Sequence, residues 1–186
     1  MSSTSSEVAN GLFNVIADTV AQNGLLKFEI KEFAEINRVE SYCLSGFVIK
    51  AQNCHTIIID YLRATPENNA LLLETVGQMC AVSQCLKQLT VRASFTTAEE
   101  GDAFMTSLAE GDLATLEQLD LSGGKFGDGN FWFDGRDECV ELLLTFIARQ
   151  PLLRELNLNM CRLTPSQQEQ VRAALADREC AITTMS

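Results

Sequence analysis

The sequence predicts an α/β fold in which short parallel strands alternate with helices, and successive strand–helix units stack side by side as a solenoid. Three observations predict it. A spaced-leucine pattern recurs three times between residues 86 and 163. Segments with apolar residues at helical spacing separate the copies. Hydrophobic residues make up 46% of the 186 positions and charged residues 21%, enough for one core without disulfide or metal staples. The reading is one domain over 1–186, with a helical cap over 1–24, about five irregular repeats over 25–163 and a C-terminal cap over 164–186.

The three strong copies begin at Leu86, Leu116 and Leu153. The first runs Leu86, Leu89, Val91, Ser94 and Thr96; the second Leu116, Leu119, Leu121, Gly124 and Phe126; the third Leu153, Leu156, Leu158, Cys161 and Leu163. Alternating apolar residues make a short strand with one face inward. The ninth position turns the chain inward, where a small polar side chain or a cysteine satisfies backbone groups between coils. The eleventh buries another apolar group beneath the next coil. One coil cannot cover its own apolar face, so coils must stack. Two weaker copies are read upstream, at Leu25, Phe28, Ile30 and Phe33, then at Leu44, Phe47, Ile49, Gln52 and Cys54.

Helices fill the intervals. Val8, Leu12, Phe13, Ile16 and Val20 lie at helical spacing, and Asn23-Gly24 ends that helix. A second helix is expected over 69–82, after Pro66. A third covers 98–109, with Phe104 and Leu108 inward, and a fourth 137–149, with Val140, Leu143, Leu144 and Ile147 inward. Thr164-Pro165-Ser166 opens a fifth, with proline at the first helical position and Val171, Ala174 and Leu175 inward. Residues 180–184 read as a terminal strand covering the last coil. Between first leucines the steps are 19, 42, 30 and 37 residues. The shortest leaves room only for a brief connection, and the longest must hold an extra turn or helix around 55–62.

On the leucines at 116, 119, 121, 153, 156, 158 and 163, with Cys161, and on Leu86, Leu89 and Val91, the sequence resembles the leucine-rich repeat family, in its ribonuclease-inhibitor-like subclass with a full helix per repeat. The unequal steps depart from that family's near-constant period of just under thirty. The resemblance implies strands on a concave face, helices on a convex face, and protein ligands recognised on the strands.

Formal net charge is -11, from 25 acids and 14 bases. Nucleic acids and anionic membranes require a basic footprint, so neither is expected as a partner. The charge is uneven: residues 1–93 carry 9 acids and 7 bases, and residues 94–186 carry 16 acids and 7 bases. No apolar run approaches the ~20 residues of a membrane span, and the first residues lack a secretory h-region. Seven cysteines scattered through apolar contexts suit free thiols in a reducing compartment. The expected location is cytoplasmic.

If the strands line one face, the residues between the leucines point into solvent there. Position three is Lys27, Gly46, Gln88, Gln118 and Glu155. Position five is Glu29, Val48, Thr90, Asp120 and Asn157. Position seven is Lys31, Lys50, Arg92, Ser122 and Asn159. Three bases in adjacent strands repel, so Lys31, Lys50 and Arg92 are read as a partner-binding column, together with Thr90, Asp120, Asn157 and Asn159. Pairing with Glu29 and Glu32 is the competing explanation. The 127–136 insertion holds Phe131-Trp132-Phe133, and Trp132 reads either as an exposed aromatic anchor or as the cover of a plug.

Chemistry is not expected. Asp128, Asn130, Asp134, Asp137 and Glu138 miss the calcium-loop spacing. Cys80 and Cys85 lack further ligands at zinc spacing. Cys54 and His55 are sequence neighbours, which points their side chains apart. Ser122-Gly123-Gly124-Lys125 is not a phosphate loop. The expectation is therefore a module or adaptor, not an enzyme, with no cofactor and no metal, acting as a monomer or as a subunit of a larger assembly. The alternative is a secreted bacterial effector that binds host proteins in the host cytosol, for which the serine-rich first six residues are the hint.

Overall fold

The computed structural model describes residues 27–31, 53–60, 76–80, 83–92, 94–95, 98–111, 113–123, 125–126 and 136–184. Six strands form one parallel sheet: β1 (Lys27–Lys31), β2 (Thr56–Asp60), β3 (Gln88–Arg92), β5 (Gln118–Asp120), β7 (Glu155–Asn157) and β8 (Ala181–Thr183). Their spatial order follows the chain and never reverses. A two-stranded parallel ladder pairs β4 (Ser94–Phe95) with β6 (Lys125–Phe126). The helices are α1 (Ala98–Glu110), α2 (Asp137–Ala148) and α3 (Pro165–Ala174), and residues 76–80 are also helical.

The leucines do what their spacing implies. Leu86, Leu89, Val91, Leu116, Leu119, Leu121, Leu153, Leu156 and Leu158 are all buried in one core with Phe104 and Leu108 of α1 and Val140, Leu143, Phe146 and Ile147 of α2. Each fully buried side chain of this size contributes about 2 kcal/mol of transfer free energy. Thr164 caps α3: its hydroxyl accepts from the Gln167 N–H, and the Gln167 side chain accepts in return from the Thr164 N–H. That reciprocal pair satisfies two donors that the first helical turn leaves open. The Arg149 guanidinium donates to the Gly111 carbonyl just past α1, and Arg178 donates to the Ile147, Ala148 and Gln150 carbonyls at the end of α2. Each cation sits on carbonyls at the end of the preceding helix, where the helix dipole favours positive charge.

The same backbone device joins consecutive units. The His55 carbonyl accepts from Lys87 and Gln88, the Lys87 carbonyl from Glu117 and Gln118, and the Glu117 carbonyl from Arg154 and Glu155. Side chains reinforce it: Ser83 donates to the Cys54 carbonyl and Thr115 to the Leu86 carbonyl. At the ninth position the Cys161 thiol donates 3.2 Å to the Leu121 carbonyl of the neighbouring unit, the role expected of it.

One sequence reading is corrected. The strand between β1 and β3 is Thr56–Asp60, not the segment beginning at Leu44; 44–50, with Lys50, lies outside the described residues. Phe28, Ile57, Leu89, Leu119, Leu156 and Ile182 are partners in register across the sheet, at intervals of 29, 32, 30, 37 and 26 residues. The uneven steps of 19 and 42 thus become 29 and 32. The physical reason is substitution within the pattern: Cys54 stands where the units of β1, β3, β5 and β7 carry leucine, and Ile57 and Ile59 flank a third isoleucine that hides the alternation. The terminal strand expected at 180–184 is present as β8. The N-terminal helix over 8–20 lies outside the described residues.

Candidate functional site on the polar face of the sheet

Alternation leaves the opposite face of the sheet polar. Across β3, β5 and β7 it presents Gln88, Gln118 and Glu155 in one register column and Thr90, Asp120 and Asn157 in the next. These side chains line an open groove of about 450 Å³, ended by Ile58 of β2 and by Ala181 and Thr183 of β8. Adjacent strands lie ~4.8 Å apart, so each column is a ladder of like-placed groups.

The groove is ordered by its own side chains. Arg92 Nη2 lies 2.5 Å from Asp120 Oδ2 and Nε 3.2 Å from the same oxygen, a cross-strand ion pair. The other carboxylate oxygen accepts from the Ser122 N–H at 2.9 Å. Asn157 repeats the device one strand on, its Oδ1 accepting from the Asn159 N–H at 3.0 Å. Both are side-chain turns that fix the chain as it leaves the strand. Burial alone would raise the Asp120 carboxyl, but the hydrogen bonds from Arg92 and Ser122 outweigh it and hold the group below the usual carboxylate range. Beside the groove, Lys87 and Glu117 pair at 3.2 Å with the lysine exposed and the glutamate partly so, and that contact adds little.

Of the residues singled out in the sequence, Thr90, Arg92, Asp120 and Asn157 come together here. Thr90 is buried, only 5% exposed, so it supports the floor of the groove. Asn159 leaves its side-chain oxygen buried with no hydrogen-bond partner among the described residues, while its backbone carbonyl accepts from Gly123. Lys31 is placed in β1 by register, opposite Asp60, which in turn stands opposite Arg92. The column read as three consecutive bases therefore runs base, acid, base: Asp60 occupies the register position assigned to Lys50, and the repulsion argument for that column falls. Trp132 lies outside the described residues. Ile58 and Thr183 were missed as groove residues. The signal for Ile58 was its place between Ile57 and Ile59: on any strand those two share one face and Ile58 takes the other.

Four of the described cysteines, Cys54, Cys80, Cys139 and Cys161, are buried packing groups and form no disulfide. Cys54 donates to the Thr56 carbonyl at 3.2 Å. Cys139 donates to Asp102, which also pairs with Arg136; burial and that carboxylate push the Cys139 thiol up to about 12. A thiol so raised is protonated at neutral pH and a poor nucleophile. Among the described residues no group of three or more histidine, cysteine or acidic side chains is placed to hold a metal ion, and no helix is long and apolar enough to cross a membrane. Compared with known protein families and with curated proteins, the chain matches none.

Proposed function

We propose that the chain is a leucine-rich repeat protein, a solenoid whose strand face binds a protein partner, and that it works as an interaction module or adaptor in the cytoplasm. The observation that carries this reading is the regular register. Six parallel strands in chain order, with apolar partners at intervals of 26 to 37 residues, are what stacked strand–helix units produce. One face of each unit is spent on the core. The other is a polar groove whose side chains are arranged in columns and held by their own hydrogen bonds, the preorganisation that lowers the entropic cost of association.

Affinity capture with mass spectrometry tests the reading when it is run on matched variants. Gln118→Arg with Asn157→Arg alters the groove, and Glu141→Arg alters the outer surface of α2. A partner retained by wild type and by Glu141→Arg but lost from the groove variant supports the proposal, provided all three melt at similar temperatures. A partner lost only from Glu141→Arg moves the interface to the helices and overturns it.

A further inference from the structure

We propose that the segment bound in the groove is extended and cationic, and that it places a lysine or arginine over Glu155 at the β7 end of the face; this rests on the strand-face reading above. The groove is electrically lopsided. On its β3 side Arg92 is committed to Asp120, and the register sets Asp60 beside that arginine. On its β7 side Glu155 is exposed, and its carboxylate makes no hydrogen bond or ion pair among the described residues. Among the described residues, no lysine or arginine lines the groove beyond Arg92. The half of the chain that supplies β5, β7 and β8 carries 16 acids and 7 bases, so the wider field adds to the local one.

Shape and hydrogen-bonding capacity narrow the occupant. The Gln88 and Gln118 carboxamides stand in adjacent register positions, each offering both donors and acceptors. Paired amides suit an extended backbone, whose N–H and C=O groups alternate. Among the described residues the groove is lined by no aromatic ring, which disfavours stacked bases or sugars. Complementary charge then fixes which way the segment lies and speeds its encounter.

The test is an NMR titration of the ¹⁵N-labelled full chain with the blocked pentapeptide Gly-Lys-Gly-Lys-Gly, beside its Glu-containing counterpart. The expected result is shift changes clustered at Gln118, Glu155 and Asn157 with the lysine peptide and none with the glutamate peptide. Glu155→Gln should weaken the lysine peptide by about fivefold, the scale of one exposed ion pair. Glu155→Lys should reverse the preference, and Glu141→Lys on α2 should leave it intact. Melting curves establish that the variants fold. Shifts spread over the acidic surface, or binding indifferent to Glu155, overturn the cationic occupant. If a protein partner still depends on Gln118 and Asn157 while Glu155→Gln is silent, the strand-face reading stands and only the cation falls. If neither groove substitution matters to that partner, the strand-face reading falls too.

Discussion

The units built on β2 and β5 occupy equivalent places in the same sheet, yet only one announces itself in the sequence. In the β5 unit Leu116, Leu119 and Leu121 are buried at the expected positions. In the β2 unit the matching positions are Cys54, Ile57 and Ile59, equally buried. The core therefore asks for apolar volume at three sites, and leucine is one of several ways to supply it. Their glycines differ in kind as well. Gly77, in the helical segment after β2, permits a close approach: a Cβ there would lie 2.6 Å from Ser107 Cβ of α1. Gly123, in the turn after β5, has open space around it but a φ of +69°, which other residues adopt only with strain.

If the two units are equivalent, truncating either core should cost alike. Ile57→Ala and Leu119→Ala are each expected to destabilise by about 2–5 kcal/mol in urea unfolding. A negligible loss from Ile57→Ala alone would break the equivalence and remove β2 from the core. Gly77→Ala comes next, at about 1–3 kcal/mol from overpacking. Pairing it with Ser107→Gly should recover most of that loss, because the clash is with the serine Cβ itself. Gly123→Ala should cost about 1 kcal/mol, set by backbone strain alone, and no neighbouring substitution should relieve it. A recovery in the second unit like that expected in the first would show that the two glycines are not distinguished by conformation and space.

How far the fold was legible follows from the same contrast. Where leucines mark positions one, four and six, the strand positions and the intervening helices were read from spacing, and the start of α3 from Pro165 at its first turn; the reciprocal cap at Thr164 was not. Where Ile57, Ile58 and Ile59 run together, alternation is invisible, because a run of one residue type carries no period. Leu44, Phe47 and Ile49 fit the alternating pattern better and are taken for the second copy in its place. The candidate site inherited that error: Lys50 entered the base column in place of Asp60. Thr90, Asp120 and Asn157 were found because they lie between correctly placed leucines. The Arg92–Asp120 pair was not foreseen, since it joins position seven of one strand to position five of the next, a diagonal that columns alone do not display.

The smallest expected effect is the one that separates the two units electrically. At the register position that holds Asp120 in the β5 unit, the β2 unit holds Ile58, two strands away. Only the first can titrate. Asp120 is held below its ordinary value despite a burial that acts the other way, so its charged form is favoured by folding. The stabilisation is then fully present above the ordinary carboxylate value of ~3.9 and is lost as pH falls through the lower, folded value. Replacing Asp120 with Asn removes the titration while keeping the shape. The melting temperature of wild type should exceed that of Asp120→Asn at about pH 6, with the gap closing as pH falls below the ordinary carboxylate range. Because the arginine is partly exposed the gap will be modest, and salt should narrow it at neutral pH. No gap at either pH or at any salt would mean that Asp120 acts through its turn with Ser122, a hydrogen bond that Asn can also make, and not through Arg92.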